Sequence, residues 1–296
     1  MAPTEGRKEL IPRFPEGLIL LPLSGRDYID SSHWCQMMVS ESGLAQRTSA
    51  SVLAGAVRAL KKSRFTAALT GAGISAASGI SPFRGNGGLW DQFPPEQYAT
   101  LETFLSNPKK AWEMFAALGH QVCNAVPNAA HESLARLEQM GRLHAIITQN
   151  VDELHTRAGN KTVLELHGSH RELICLQCSL RQDVEDWGAL GVPPKCQCGA
   201  IMKPNVTLFG ELLAEGVFEE ATRAVEQCDL LLVVGTSAEV APASDLPRRA
   251  KQRGASLIEV NTEPTWLSES LTDFFLAGRC EEILTQLVQG VRRRTP

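Results

Sequence analysis

Three groups of residues in this chain have the types and spacing to do chemistry. The first is Thr148-Gln149-Asn150-Val151-Asp152, followed shortly by Leu164-Glu165-Leu166-His167-Gly168-Ser169. An Asn and an Asp at a strand end can hydrogen-bond an amide or hold a water. A His before a Gly-Ser loop is free to act as a general base near neutral pH. Each residue alone has a plainer reading, as a cap or a structural imidazole, and His33, His120, His131, His144, His155 and His170 show that the residue type is not diagnostic. The second group is Cys175-Leu-Gln-Cys178 with Cys196-Gln-Cys198. A C-x-x-C pair sets two thiolates on one knuckle, as two corners of a zinc tetrahedron require; Gly199 can relieve the tighter C-x-C turn. Structural zinc is favoured over a redox pair or a disulfide pair. Four thiolates would leave no open position on the metal, so it would hold a fold together rather than activate water. The third group is Gly71-Ala72-Gly73-Ile74-Ser75-Ala76, directly after the apolar run Phe65–Leu69. It matches the G-x-G-x-x-G/A turn that sets a pyrophosphate on a helix N-terminus.

That turn lacks the usual partner of a hydride-transfer site. The acidic residue about 20 residues further on is not convincingly present; Asp91 lies near that distance, but in a Gly/Pro-rich loop. In its place stands Ser78-Gly-Ile-Ser-Pro-Phe83-Arg84-Gly-Asn-Gly-Gly-Leu-Trp90, polar and glycine-rich, with an aromatic and a cation at its centre. A dehydrogenase has no need of such a segment.

The elements that must position these groups alternate. Helical spacing of Val52, Leu53, Ala56, Val57 and Leu60 predicts a helix over 50–62. Strand-like runs recur at Phe65–Leu69, Ala145–Thr148, Leu230–Val234 and Leu257–Val260. Helical patterns at Ala130–Met140, Phe218–Cys228 and Ala243–Arg253 lie between or beside them. Strands alternating with helices predict an α/β chain, a Rossmann-like parallel sheet covered on both faces. Ligands of such sheets bind at the carboxyl ends of the strands. That rule gathers Gly71–Ser75, Gln149–Asp152, Gly235–Ser237 and Asn261–Glu263 on one rim, each beginning where an apolar run stops. The cysteine pairs interrupt this order as a small ribbon, with Trp187, Gly188, Gly191, Pro193 and Pro194 between them.

Composition bounds the rest. A chain of 296 residues with 43% hydrophobic content can bury a sizeable core in one large or two smaller domains. A net charge of -4 gives no overall basic field, so nucleic acid is not an expected partner. The basic clusters at 58–64, 248–253 and 292–294 read as solvated helix faces and a tail. No apolar run reaches the roughly 20 residues that span a bilayer, and Gly17–Leu23 lacks a signal-peptide layout; no membrane partner is expected. Close cysteine pairs in an enzyme-like chain suggest a reducing compartment, hence a cytoplasmic location. Cys35, Cys123, Cys228 and Cys280 are unpaired in sequence.

With these segments assembled, the chain resembles the sirtuin family of NAD-dependent protein-lysine deacylases, with the look of its bacterial and mitochondrial branches. The resemblance rests on the 71–84 segment, Gly87-Gly-Leu-Trp90, Thr148–Asp152, Leu166-His-Gly168, the four cysteines, Phe209-Gly-Glu211, Gly235-Thr-Ser237 and Asn261-Thr-Glu263, in the family's order over 65–282. It implies an N-terminal extension at 1–48 and a catalytic domain at 49–296. A helical module at about 85–130 and a zinc module at about 169–205 would be inserted in the Rossmann-like core. NAD would be a consumed co-substrate. Its pyrophosphate would lie over Gly71, Ala72 and Gly73, near Ser75, and its adenosine near Gly235, Thr236, Ser237, Asn261, Thr262, Glu263 and Cys280. Phe83, Arg84 and Trp90 would form a lid over the nicotinamide ribose, and Gln149, Asn150 and Asp152 would line the nicotinamide pocket. The family's catalytic roles fall on His167, Asn150, Asp152 and Arg84. The acyl-lysine oxygen attacks the ribose carbon as nicotinamide leaves, and His167 then activates a ribose hydroxyl, giving free lysine and O-acyl-ADP-ribose.

The substrate peptide would enter as an extended strand between Val206–Glu211 and Ala238–Pro242, main-chain paired. The resemblance assigns Val206, Thr207, Phe209, Gly210, Glu211, Glu239 and Val240 to it. Phe115 and Leu118 align where desuccinylating sirtuins carry a Tyr and an Arg. Without a cation, a succinyl carboxylate would be desolvated unpaired, so neutral acyl groups, acetyl or longer, are expected. Thr207 departs from a usually apolar position in that channel. An NAD hydrolase or ADP-ribosyltransferase on the same scaffold is the alternative. A catalytically silent NAD sensor is a third reading, which intact Asn150, Asp152 and His167 argue against.

Overall fold

Two apolar clusters sandwich a six-stranded sheet, and strand alternation explains both. Side chains of successive strand residues point to opposite faces. Ala68, Ile146, Leu232, Val234, Ile258 and Val260 face one way, onto helices Ala50–Lys62, Ala129–Gln139 and Cys280–Arg292. Ala67, Leu69, Ile147, Leu231, Val233 and Leu257 face the other, onto helices Val217–Gln227 and Leu246–Gln252. The computed structural model describes residues 49–293, apart from 85–86, 185–186, 188–189 and 215. The expected extension at 1–48 lies outside the described residues, as does the last arginine of the C-terminal basic run.

The sheet contains β1 (Thr66–Thr70), β2 (Ala145–Thr148) and β3 (Val163–Glu165). A second sheet is formed by β4 (Gly168–Ile174), β5 (Arg181–Asp183) and β6 (Lys203–Val206). The chain then returns to the first as β7 (Leu230–Val234), β8 (Ser256–Asn261) and β9 (Phe274–Ala277). The large sheet runs β3-β2-β1-β7-β8-β9, all parallel. Leaving out the inserted strands, this is the doubly wound order 3-2-1-4-5-6, whose direction reverses between β1 and β7. A ligand crevice belongs at that reversal.

Between β1 and β2 the chain makes short helices and then the long helix Pro108–Asn124. That helix packs on the small antiparallel sheet: Ala111, Trp112, Met114 and Phe115 share a core with Leu173, Val184, Trp187, Met202 and Leu208. Among the described residues no helix is long and apolar enough to cross a membrane.

Three details depart from the sequence reading. β1 begins one residue late, because the Phe65 amide is bound by the Asp229 carboxylate and its ring stacks on His144. The helix expected after the Gly-rich turn is a 3-10 helix, Ala72–Ser78. The helix expected at Ala243–Arg253 is a 3-10 turn at Ala243–Asp245 followed by Leu246–Gln252, with a Pro in its first turn.

Candidate functional site

A cleft of about 1320 Å³ opens where β1, β2, β7 and β8 end. At its floor the β1 and β7 turns touch. The Gly73 amide donates to the Gly235 carbonyl at 2.9 Å and the Gly71 amide to the Val234 carbonyl at 3.1 Å. A Cβ on Gly73 would lie 2.8 Å from the Gly235 Cα, so no larger residue fits without moving backbone. The glycines thus serve the contact between two turns as well as the bareness of the rim. Gly71, Ala72, Gly73, Gln149 and Asn150 line this end of the cleft, with Gly235, Thr236 and Ser237 opposite. Asn261, Thr262, Glu263 and Cys280 line its far end. The four rim segments predicted from the ends of apolar runs therefore meet around one space.

Ser75 and Asp152 are not among the lining residues; both are buried one layer behind Asn150. Asn150 donates its Nδ2 hydrogens to the Gly71 carbonyl and to Ser75 Oγ, each at 3.1 Å. Ser75 Oγ donates to Asp152 Oδ2 at 2.7 Å, and the Leu154 amide donates to Asp152 Oδ1 at 3.0 Å. Burial pushes the Asp152 carboxyl upward, and the Ser75 hydroxyl opposes that shift. Asp152, expected to line the pocket, is thus joined to Asn150 through Ser75. Asn150 Oδ1 is left buried with no hydrogen-bond partner. A buried acceptor of that kind is costly unless something donates to it, and an amide N–H of a ligand in the cleft would do so.

His167 stands on the connection between β3 and β4, where the two sheets join, and lines the cleft. Its Nδ1 is 2.9 Å from the Gln149 carbonyl. A carbonyl only accepts, so Nδ1 carries the proton and Nε2 is the free base. Burial holds the imidazole below its usual pKa, with the Gln149 bond partly opposing this.

The other half of the cleft comes from the inserted segments. Met114, Phe115 and Leu118 line it from the long helix; Val206, Thr207, Leu208, Phe209, Gly210 and Glu211 line it from the end of β6 and beyond. The Thr207 amide donates to the His167 carbonyl at 2.9 Å, tying that segment to the imidazole loop. Glu239 and Val240 line the opposite wall. Phe83, Arg84 and Trp90 close the top, with the Phe83 and Trp90 rings 5.0 Å apart. Arg84 Nε lies 3.7 Å from Glu239 Oε2, a half-exposed pair bridging the two walls.

Away from the cleft, the Sγ atoms of Cys175, Cys178, Cys196 and Cys198 all lie within 4.8 Å of one another. Cys175–Cys198 is 3.6 Å and Cys178–Cys196 is 3.5 Å. A tetrahedron with Zn–S bonds of about 2.3 Å has sulfur–sulfur edges of about 3.8 Å, whereas a disulfide is about 2.05 Å. The four thiols fit zinc.

The sequence pattern that defines the Sir2 family matches residues 71–242. The NAD-dependent protein deacylase 1 of Archaeoglobus fulgidus is 43% identical over 238 residues, covering 80% of this chain and 97% of that protein. The chain belongs to the Sir2 family. Solved Sir2 structures share the fold. A Sir2 homologue in complex with NAD is 44% identical with a TM-score of 0.76, over 80% of this chain and 93% of that one. Sir2Af2 bound to a myristoylated histone peptide is 38% identical with a TM-score of 0.70, over 82% of this chain and 97% of that one.

One buried ion pair in this Sir2 chain escaped the sequence reading. Lys203, almost fully buried, donates to Glu211 at 3.0 Å and to the Val206 carbonyl at 2.7 Å. Glu211 also accepts from the Leu208 amide at 2.7 Å. The pair braces the 206–211 segment from behind. Its signal was a lysine in an otherwise apolar stretch, eight residues before the glutamate. Leu212, Leu213 and Phe218 also line the Sir2 cleft and carried no motif.

Proposed function

We propose that this chain is an NAD-dependent protein-lysine deacylase working through His167. The observation that carries the reading is the free Nε2 of a half-buried imidazole in the same cleft as the four strand-end turns. Gly71, Ala72 and Gly73 with Gly235, Thr236 and Ser237 would hold NAD, together with Asn261, Thr262, Glu263 and Cys280. When bound, NAD supplies an electrophilic ribose carbon with nicotinamide as its leaving group. Asn150 Oδ1 would accept from the carboxamide, and Asp152 would hold Asn150 in place through Ser75. Arg84 would leave Glu239 to reach the nucleotide, while Phe83 and Trp90 would cap it and exclude water. His167 Nε2 would take a proton from a sugar hydroxyl, and its Nδ1–H would stay on Gln149. The segments 206–211 and 239–242 would pair with the peptide backbone.

Phe115 and Leu118 would form the acyl wall. Neither carries charge, so acetyl and longer neutral chains would be accepted and a succinyl carboxylate rejected. Zinc at the four thiolates would be structural. The domain organisation we propose is an extension at 1–48 and a catalytic domain at 49–296, with modules inserted at about 85–130 and 169–205. Four thiols held free of disulfides suit a reducing compartment, and we place the protein in the cytoplasm.

The test is mass-spectrometric detection of O-acyl-ADP-ribose with acetyl-, octanoyl- and succinyl-lysine peptides. The first two should give product. Faster removal of succinyl than acetyl would overturn the acyl reading. Release of nicotinamide without acyl transfer would favour the NAD hydrolase instead.

A further inference from the structure

Trp187 belongs by sequence to the segment between Cys178 and Cys196, so its chain is tied on both sides to the thiolate cluster. The residue is 4% exposed and packs in one core with the helix Pro108–Asn124. Its ring stacks on His170 with centroids 4.3 Å apart and planes at 9°, and lies 5.8 Å from the ring of Trp112. A Cβ built on Gly119 would come within 2.5 Å of Trp187 Cε3 and 2.6 Å of Cδ2. Glycine is disfavoured inside a helix, and here the space a side chain would need is filled by that indole.

Gly119 sits four residues after Phe115, on the same stripe of the helix, and directly after Leu118. His170 reinforces the contact from the other side: its Nε2 donates to the Phe115 carbonyl at 3.0 Å. Burial lowers the His170 pKa to about 4, so the imidazole is neutral. The indole, the imidazole and the helix therefore form one stack, with Phe115 and Leu118 between it and the cleft.

We propose that Trp187 is a positioning residue of the acyl pocket: its ring sets how far the Phe115–Leu118 wall stands into the cleft, and so the acyl length accepted. The inference rests on reading Phe115 and Leu118 as the acyl wall. It makes the cysteine module part of substrate selection, because the residue that positions the wall is carried by the loop the metal closes.

The test compares octanoyl- and acetyl-lysine peptides on full-length Gly119→Ala, Trp187→Phe and the double variant. In Gly119→Ala the new methyl meets an indole already backed by His170, so the helix should shift off the ring and toward the cleft. The ratio of octanoyl to acetyl kcat/KM should then fall about tenfold, within the range a few methylenes command in an apolar pocket. In Trp187→Phe the smaller ring lets the wall retreat and the ratio should rise. The double variant should return toward the parent ratio, because the phenyl ring vacates the indole atoms that the methyl meets. Bound zinc and ADP-ribose affinity, measured by thiol-release colorimetry and calorimetry, should stay at parent values in all three. A ratio unchanged in both single variants, even with all rates lowered, would overturn the proposal. Phe115→Ala separates the two readings. If it changes the ratio while Gly119→Ala does not, the wall stands and the role of Trp187 is wrong. If neither does, the wall reading fails and takes this proposal with it.

Discussion

In the large sheet every residue of β1 and β7 is buried; in the small one every residue of β5 is exposed, and β4 is only partly covered. The first sheet has helices on both faces and an apolar cluster on each. The second has three strands, one shared core with a single long helix, and a thiolate cluster at its end. The small sheet buries less of its surface, so a metal crosslink at the four thiolates would add there to what its shared apolar core supplies. The cleft uses both: the turns at one end are backbone from the large sheet, and the wall proposed to hold peptide and acyl chain is borrowed from the inserted segments. His167 stands where one sheet passes into the other.

The largest effect should come from that junction. His167→Ala should lower deacylation by about 10²–10⁴-fold, the usual contribution of a positioned general base, and leave ADP-ribose binding within a few-fold of the parent. If ADP-ribosylation persisted as the dominant activity, the transferase reading would gain the ground that the deacylase loses. Metal removal should come next. A chelator strong enough to strip the four thiolates should abolish peptide turnover by loosening β4–β6. Amide exchange in β1, β2 and β7 should stay slow and ADP-ribose should still bind. If both sheets melted together, the contrast between them would be false.

A smaller effect probes the large sheet by itself. Gly73→Ala places a methyl 2.8 Å from the Gly235 Cα. The Gly235 atoms it meets are all backbone, so the turns must part, at a cost of about 1–3 kcal/mol, typical of overpacking. Denaturant unfolding should show that loss with the slope unchanged, and zinc stoichiometry should remain that of the parent. A weakened ribbon in this variant would mean that the two sheets share more than the cleft.

The same contrast governs what could be read from the sequence. Strands buried on both faces are short apolar runs, so β1, β2, β7 and β8 were visible, and so were the polar turns where the runs stop. The cysteine pairs were visible because thiolate spacing is set by the metal. The edge strands β3 and β9 were missed: with three and four residues, half-buried for the most part, they carry no run and no usable period. The second sheet was legible only as a ribbon, since β5 reads Arg-Gln-Asp and nothing in it asks for burial. That Asp152 lies behind Asn150 rather than on the cleft surface is not legible, because sequence shows a strand end but not the direction in which each side chain leaves it. Trp187 was seen as part of the ribbon, and its partner Gly119 lies 68 positions earlier in the chain, a distance no local pattern spans.

The smallest effect lies at the junction again. Glu165 ends β3, and its carboxyl is pushed up to about 7, first by burial and then by the nearby Glu153 and Asp152. Its value in the unfolded chain is the ordinary 4.5. Between those two values the folded state holds a proton that the unfolded state has released. Stability therefore falls as pH rises from about 4.5 to about 7, and this contribution is flat outside that window. Asp229, with its pKa lowered to about 2, works in the opposite sense at more acidic pH. The denaturant midpoint of Glu165→Gln should gain on that of the parent as pH rises from about 4.5 to about 7, and the variant should be at least as stable as the parent at about pH 8. If the difference between the two does not change across that window, Glu165 does not titrate there; if it grows while β4–β6 alone gains amide protection, the charge at the end of β3 acts on the small sheet rather than the large one.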